Sequence, residues 1–233
     1  MAGKAVAMMA IGVTLAAGCT DGAAIGPPDQ PSGGRVPAGI GYSADRLQRA
    51  LLPAIAGYHQ VGQPQSGDYG SLRAVQNLTQ LQRQVRLDKP QCAAATRTFA
   101  ASPEVQGAPA AIATFEKGLG QYATESLLAV PDRFAGKLVT ARVPASCVAF
   151  HSRIGGTTSA HQVIGAARGR LGEGSRTVGV TTVSGSSRVT TWYVVLRSHG
   201  YVATLTLYGP AATRAEAERI ARTAYEQAER NLA

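Results

Sequence analysis

The chain reads as an α+β protein: an antiparallel β-sheet of about 5-7 strands packed against helices on one face, with a long C-terminal helix. Residues 178–183, 188–197 and 201–208 are β-branched and aromatic runs divided by Gly/Ser turns, the pattern of an antiparallel meander. Earlier apolar runs are joined in pairs by glycine turns, and near the C-terminus an apolar stripe recurs at helical spacing. Of 233 residues, 45% are hydrophobic and 16% charged, which excludes a disordered chain, a collagen-like repeat and a multi-pass membrane protein.

Residues 1–18 are an address rather than a fold. One positive charge at Lys4 precedes an apolar run over 5–15 (AVAMMAIGVTL), and the small residues Ala16, Ala17 and Gly18 precede Cys19. Eleven apolar residues reach about 16 Å as a helix, little over half of a hydrocarbon core of about 30 Å, so the run is an export signal. Leu15-Ala16-Ala17-Gly18-Cys19 matches the bacterial lipobox, in which the Cys thiol is alkylated by diacylglycerol and the signal is cut before it. The alternative is a soluble secreted protein with an incidental Cys19. Two acyl chains hold a protein at a membrane where one does so only marginally. Residues 20–42 are rich in Gly, Pro, Ala and Ser without apolar period, a tether of about 25 Å average reach.

The remaining residues, 43–233, form a single domain. Ser43 caps a helix with Leu47, Leu51 and Ile55 on one face, ended or kinked by Pro53. A weaker helix spans 72–87, with Leu78, Leu81 and Val85 inward and Pro90 beyond it, and QCAAATRTF forms a short helix around Cys92. APAAIATFEKG and QYATESLLAV pair as a hairpin about Gly118-Leu119-Gly120, a helix runs through Phe134, Leu138 and Ala141, and a second hairpin turns at Ile154-Gly155-Gly156. After the meander, Thr213 and Glu216 make a capping box for the last helix. Its apolar stripe is Ala217, Ile220, Ala221, Ala224 and Ala228, and Glu218–Arg222 and Glu226–Arg230 pair on its wet face.

Lipidation of Cys19 leaves Cys92 and Cys147 for each other as a disulfide, which export permits. The competing reading is a catalytic or redox thiol, but neither cysteine lies in C-x-x-C. No G-x-S-x-G, P-loop, EF-hand or H-E-x-x-H string occurs, and no catalytic, cofactor or metal residues are assigned. His59, His151, His161 and His199 are scattered singly, although His151 and His161 could meet across the second hairpin. The acids Asp45, Glu116, Glu125, Glu173, Glu216, Glu218, Glu226 and Glu229 read as solvated charges. A formal charge of +9 comes from dispersed arginines, which points to anionic headgroups or wall polymers rather than nucleic acid. Alternation puts Trp192, Val194 and Leu196 on one sheet face and Tyr193, Val195 and Arg197 on the other. Tyr193, Arg197 and Tyr201 are the candidate ligand-binding residues.

Leu51-Leu52-Pro53 followed by Gly57-Tyr58, Pro90-Gln91-Cys92, Pro144-Ala145-Ser146-Cys147-Val148-Ala149-Phe150, and 192–208 ahead of the final helix carry a family resemblance. In these pieces the chain resembles the extracellular sensor-type domain of actinobacterial PknH-like receptor kinases and of small lipoproteins that carry it alone. The resemblance implies an antiparallel sheet backed by helices and a cleft for an extracytoplasmic ligand. The kinase-linked members commonly carry two disulfides and a kinase domain, whereas this chain has cysteines for one bridge and no kinase domain. The expected function is that of a non-enzymatic lipoprotein, lipid-anchored on the extracytoplasmic face of the cell membrane, binding a small or lipid-like molecule or an envelope protein. The alternatives are an envelope hydrolase with an unrecognised site and a purely structural interaction module.

Overall fold

The computed structural model describes residues 41–118 and 120–232, apart from the side chains of 94–97. The export signal, Cys19, the tether up to residue 40 and Leu119 of the first hairpin turn lie outside them. Ten strands form one sheet, more than the 5-7 expected. They are β1 (His59–Gln60), β2 (Gln65–Asp68), β3 (Arg86–Leu87), β4 (Pro109–Lys117), β5 (Gln121–Ala129), β6 (Ala149–Ile154), β7 (Thr157–Gly169), β8 (Gly174–Ser184), β9 (Ser187–Ser198) and β10 (Tyr201–Gly209). The order β1-β4-β5-β10-β9-β8-β7-β6-β3, with β2 also on β4, is antiparallel at every pairing. The extra strands are β1, β2 and β3, only two to four residues each and too short to show an alternation.

Among the described residues six α-helices accompany the sheet: α1 (Ala44–Ala50), α2 (Arg73–Gln84), α3 (Gln91–Ala101), α4 (Pro103–Gln106), α5 (Asp132–Thr140) and α6 (Arg214–Leu232). They lie on both faces, not on one. Trp192, Val194, Leu196 and Leu205 pack with Leu47 of α1 and Ile220 and Ala224 of α6. Val195 and Val202 pack on the opposite side with Ala135 and Val139 of α5 and Val75 of α2. The reason is visible in β9 and β10: consecutive apolar residues fill both parities, and such strands are buried on both faces. No helix among the described residues is long and apolar enough to cross a membrane.

Caps set the helix limits. The Ser43 hydroxyl accepts from Arg46 N–H at the start of α1, which ends before Pro53. Thr213 accepts from Glu216 N–H at 3.2 Å, and all five stripe residues of α6 are buried. On its wet face Glu218 pairs with Arg214 at 2.8 Å rather than with Arg222, and Arg230 donates to Gln227. Arg46 of α1 donates to the carbonyl of Leu232 at 2.9 Å, closing the far end of α6. Tyr42, the last residue of the expected tether, packs its ring edge-on to Tyr201 at 6.0 Å. Cys92 and Cys147 stand at disulfide distance, 2.04 Å between sulfurs, joining α3 to the segment after α5.

Candidate functional site

Sheet parity decides which of the expected ligand residues share a site. Tyr193 and Arg197 stand on the α5 face, but β9–β10 register pairs Tyr201 with Ser198 and sends it to the α6 face. There Tyr201 is fully buried and donates to Glu229 at 2.9 Å. Tyr193 is buried against Val178 and Val180. Burial pushes both phenols above their ordinary range. The three residues therefore do not converge: the tyrosines are core, and Arg197 alone lines a cavity.

That cavity is a cleft of about 430 Å³ between α5 and the corner where β7, β8 and β9 meet. Arg133, Gly136, Lys137 and Thr140 form the helical wall, Arg168 closes the β7 side, and Glu173 and Ser175 flank the turn into β8. Two glycines allow this closeness. A Cβ on Gly136 would lie 3.6 Å from Arg197 Nη1, so a bare helix face admits the guanidinium. Gly172 has φ +62°, and a Cβ there would stand 2.4 Å from the Arg197 carbonyl, which instead accepts from Glu173 N–H at 3.0 Å. Arg197 Nε is buried without a hydrogen-bond partner, and Arg168 reaches the Thr140 carbonyl at 3.4 Å. Sequence reading missed Arg133, Lys137 and Arg168. A signal existed in the run from Arg168 to Arg176, where three arginines and three glycines surround one turn.

The hairpin of β6 and β7 does not gather its histidines. Register pairs His151 with Ala160 and His161 with Phe150, adjacent rungs that face opposite sides of the sheet. On one side His151 faces Asp88 at 3.0 Å, and its backbone N–H, the strongest influence, holds the Asp88 carboxyl below its usual range. On the other, His161 stacks on Phe150, its Nε2 is 2.7 Å from Ser152 Oγ and its Nδ1 is 3.0 Å from Thr182 Oγ1. Burial lowers His161 to about 4, so the imidazole is neutral at neutral pH. A neutral imidazole against a serine hydroxyl is the nucleophile–base half of a catalytic triad. The other half needs a carboxylate to balance the imidazolium, and the third member here is a threonine hydroxyl. Ser152 is moreover 5% exposed, so the three side chains serve as a polar ladder across β6, β7 and β8.

Several acids read as solvated are tied into the fold. Glu125 is 1% exposed in β5, with Oε2 accepting from Leu52 N–H at 2.8 Å and Oε1 unpartnered, and burial pushes its carboxyl up to about 7. Glu216, Glu218 and Glu229 of α6 accept from Tyr58, Thr177 and Tyr201 and so dock the helix on its neighbours.

No family model matches the chain. No curated protein matches it either. Among solved structures, the crystal structure of the extracellular domain of PknH from Mycobacterium tuberculosis is similar, with TM-score 0.55 and 12% identity over 81% of this chain and 97% of that one. The X-ray structure of an uncharacterized Mycobacterium smegmatis protein, the Rv0999 ortholog, aligns with TM-score 0.46 and 12% identity over 80% of this chain and 97% of that one. The chain shares its fold with the PknH extracellular domain.

Proposed function

We propose that the protein is a non-catalytic ligand-binding module held at the extracytoplasmic face of the cell membrane by a lipid on Cys19. The observation that carries this reading is the cleft under α5. At about 430 Å³ it falls in the ~300–1,000 Å³ range of small-molecule sites, and it opens on a sheet face that is otherwise packed. The lipobox and tether supply the location, and the fold shared with an extracellular domain agrees with it. A hydrolase reading would build on Ser152 and His161, but their ladder lacks both a carboxylate and an open hydroxyl.

Native mass spectrometry of the full chain, purified from the membranes of a related bacterial host in mild detergent, tests the binding half of the proposal. A reproducible adduct of small-molecule mass is the expected result. A clean apo mass would move the function to protein contacts. Cys19→Ala tests the anchor: the variant should stay uncleaved or be shed to the medium, and an unchanged mature membrane fraction would contradict lipidation.

A further inference from the structure

We infer that the cleft between α5 and the β7–β9 corner is an anion site, and that its ligand presents a phosphoryl or carboxylate group to Arg168, Arg197 and Lys137. This rests on the reading of the cleft as the ligand site and adds the ligand's charge to it. Four cations line the cleft, Arg133, Lys137, Arg168 and Arg197, against two carboxylates, Asp132 and Glu173. Neither carboxylate answers them. Among the described residues none of the four cations is in an ion pair, and Glu173 lies 3.9 Å from His199 instead. With four cations against two carboxylates the cleft carries an excess of positive charge, which concentrates ions of the other sign.

The cross-strand register adds a second, independent observation. Arg176 of β8 stands directly opposite Arg168 of β7, and on its other flank pairs with Val195, which packs beneath α5. Like charges in this position destabilise a sheet. Arg176 is 5% exposed, and among the described residues its side chain is in no ion pair. Burial pulls it below its ordinary value, yet a guanidinium keeps its charge at neutral pH. Arg176 does not itself line the cleft, but Arg168, its partner across the sheet, does, so the positive charge of this corner extends behind the cleft wall. Arg197 Nη1 stands beside the space left by Gly136, and its Nε is buried without a hydrogen-bond partner. Planar guanidinium forks suit oxyanions, which bind them through paired charge-assisted hydrogen bonds.

The ligand's oxyanion could belong to a soluble metabolite-sized anion or to a lipid headgroup, and the test separates them. The full chain in non-ionic detergent is titrated with inorganic phosphate, and separately with phosphatidylglycerol or phosphatidylcholine in mixed micelles, while thermal unfolding is followed. A saturable rise in Tm with phosphate, weakened by added sodium chloride, supports the inference with a soluble source. A rise with phosphatidylglycerol alone supports it with a headgroup source. Arg197→Gln and Lys137→Gln, both at the cleft wall, should each weaken the response about tenfold. Arg176→Met should raise Tm in anion-free buffer and blunt the response, an opposition that a merely structural arginine would not give. If Arg176→Met does not fold, the two wall variants decide. No rise with any anion, or a rise that Arg197→Gln and Lys137→Gln leave intact, overturns the inference. A neutral adduct in the mass spectrum with no anion response overturns the anion assignment alone and leaves the ligand-binding reading standing. No adduct and no response ends both.

Discussion

Glu125 and His161 are ionisable side chains taken out of water in opposite senses, and pH separates them. The Glu125 carboxyl rises from its ordinary 4.5 to about 7 on folding, so between those values the folded chain holds a proton that the unfolded chain has released. Its stabilisation is full below about pH 4.5 and fades as pH rises through 7, by about 3 kcal/mol at most. His161 falls from 6.5 to about 4, so the unfolded chain binds the extra proton, and stability present above 6.5 is lost as pH falls toward 4. The two slopes oppose each other between pH 4.5 and 6.5. Chemical denaturation of the native protein should therefore show a shallow pH dependence in that window, Glu125→Gln a stability that climbs with pH, and His161→Gln one that declines. Parallel slopes in all three would refute the assignment. The inward position of Glu125 was legible, because Gln121, Ala123, Glu125, Leu127 and Ala129 share one parity of β5. Its burial was not, since residue type alone reads a glutamate as solvated and only the Leu52 N–H from the segment after α1 explains it. Tyr201 failed for a different reason: the Ser198-His199-Gly200 turn resets the parity, and side-chain chemistry cannot report which face follows a turn.

At the scale of elements, the hairpins, the meander and α6 followed from alternation, caps and turn glycines, while helices on both faces needed the packing. Trp192 shows what the pattern alone could not supply. Its indole lies over β7 and β8, where a Cβ on Gly179 would fall 2.5 Å from the ring and one on Gly165 3.5 Å from it. Two glycines in neighbouring strands thus make the seat that lets α6 cover the sheet, a cross-strand match invisible in either strand by itself. Gly179→Ala should destabilise by about 1–3 kcal/mol through overpacking, read from the urea midpoint, whereas Gly156→Ala in the open hairpin turn should change little. Equal effects of the two would mean that the indole does not need the seat. The cleft was the least legible element, because its charges come from α5, β7 and β9, far apart in sequence, and Arg197 was its single foreseen member.

Across the whole molecule, the bridge from Cys92 to Cys147 fastens α3, where among the described residues the two cysteines cluster with Val143 and Phe99 packs edge-on to Phe134 of α5. Replacing both by serine should cost about 2–5 kcal/mol in reversible unfolding. Hydrogen exchange should quicken first in α3 and residues 141–148, and uniform acceleration would show that the bridge steadies the entire sheet instead. The sheet's borders have a consequence for assembly. The ten-stranded sheet ends in β1 and β2, both on β4, at one border and in the two-residue β3 at the other, and β3 sets Arg86 against Arg153 of β6. The like charges at the β3 border repel an approaching strand, while β3 covers only two residues of β6 and residues 164–169 of β7 lie beyond the β6 ladder. Two copies that met along this border would set arginine against arginine, which makes it a poor place for one sheet to continue into the next.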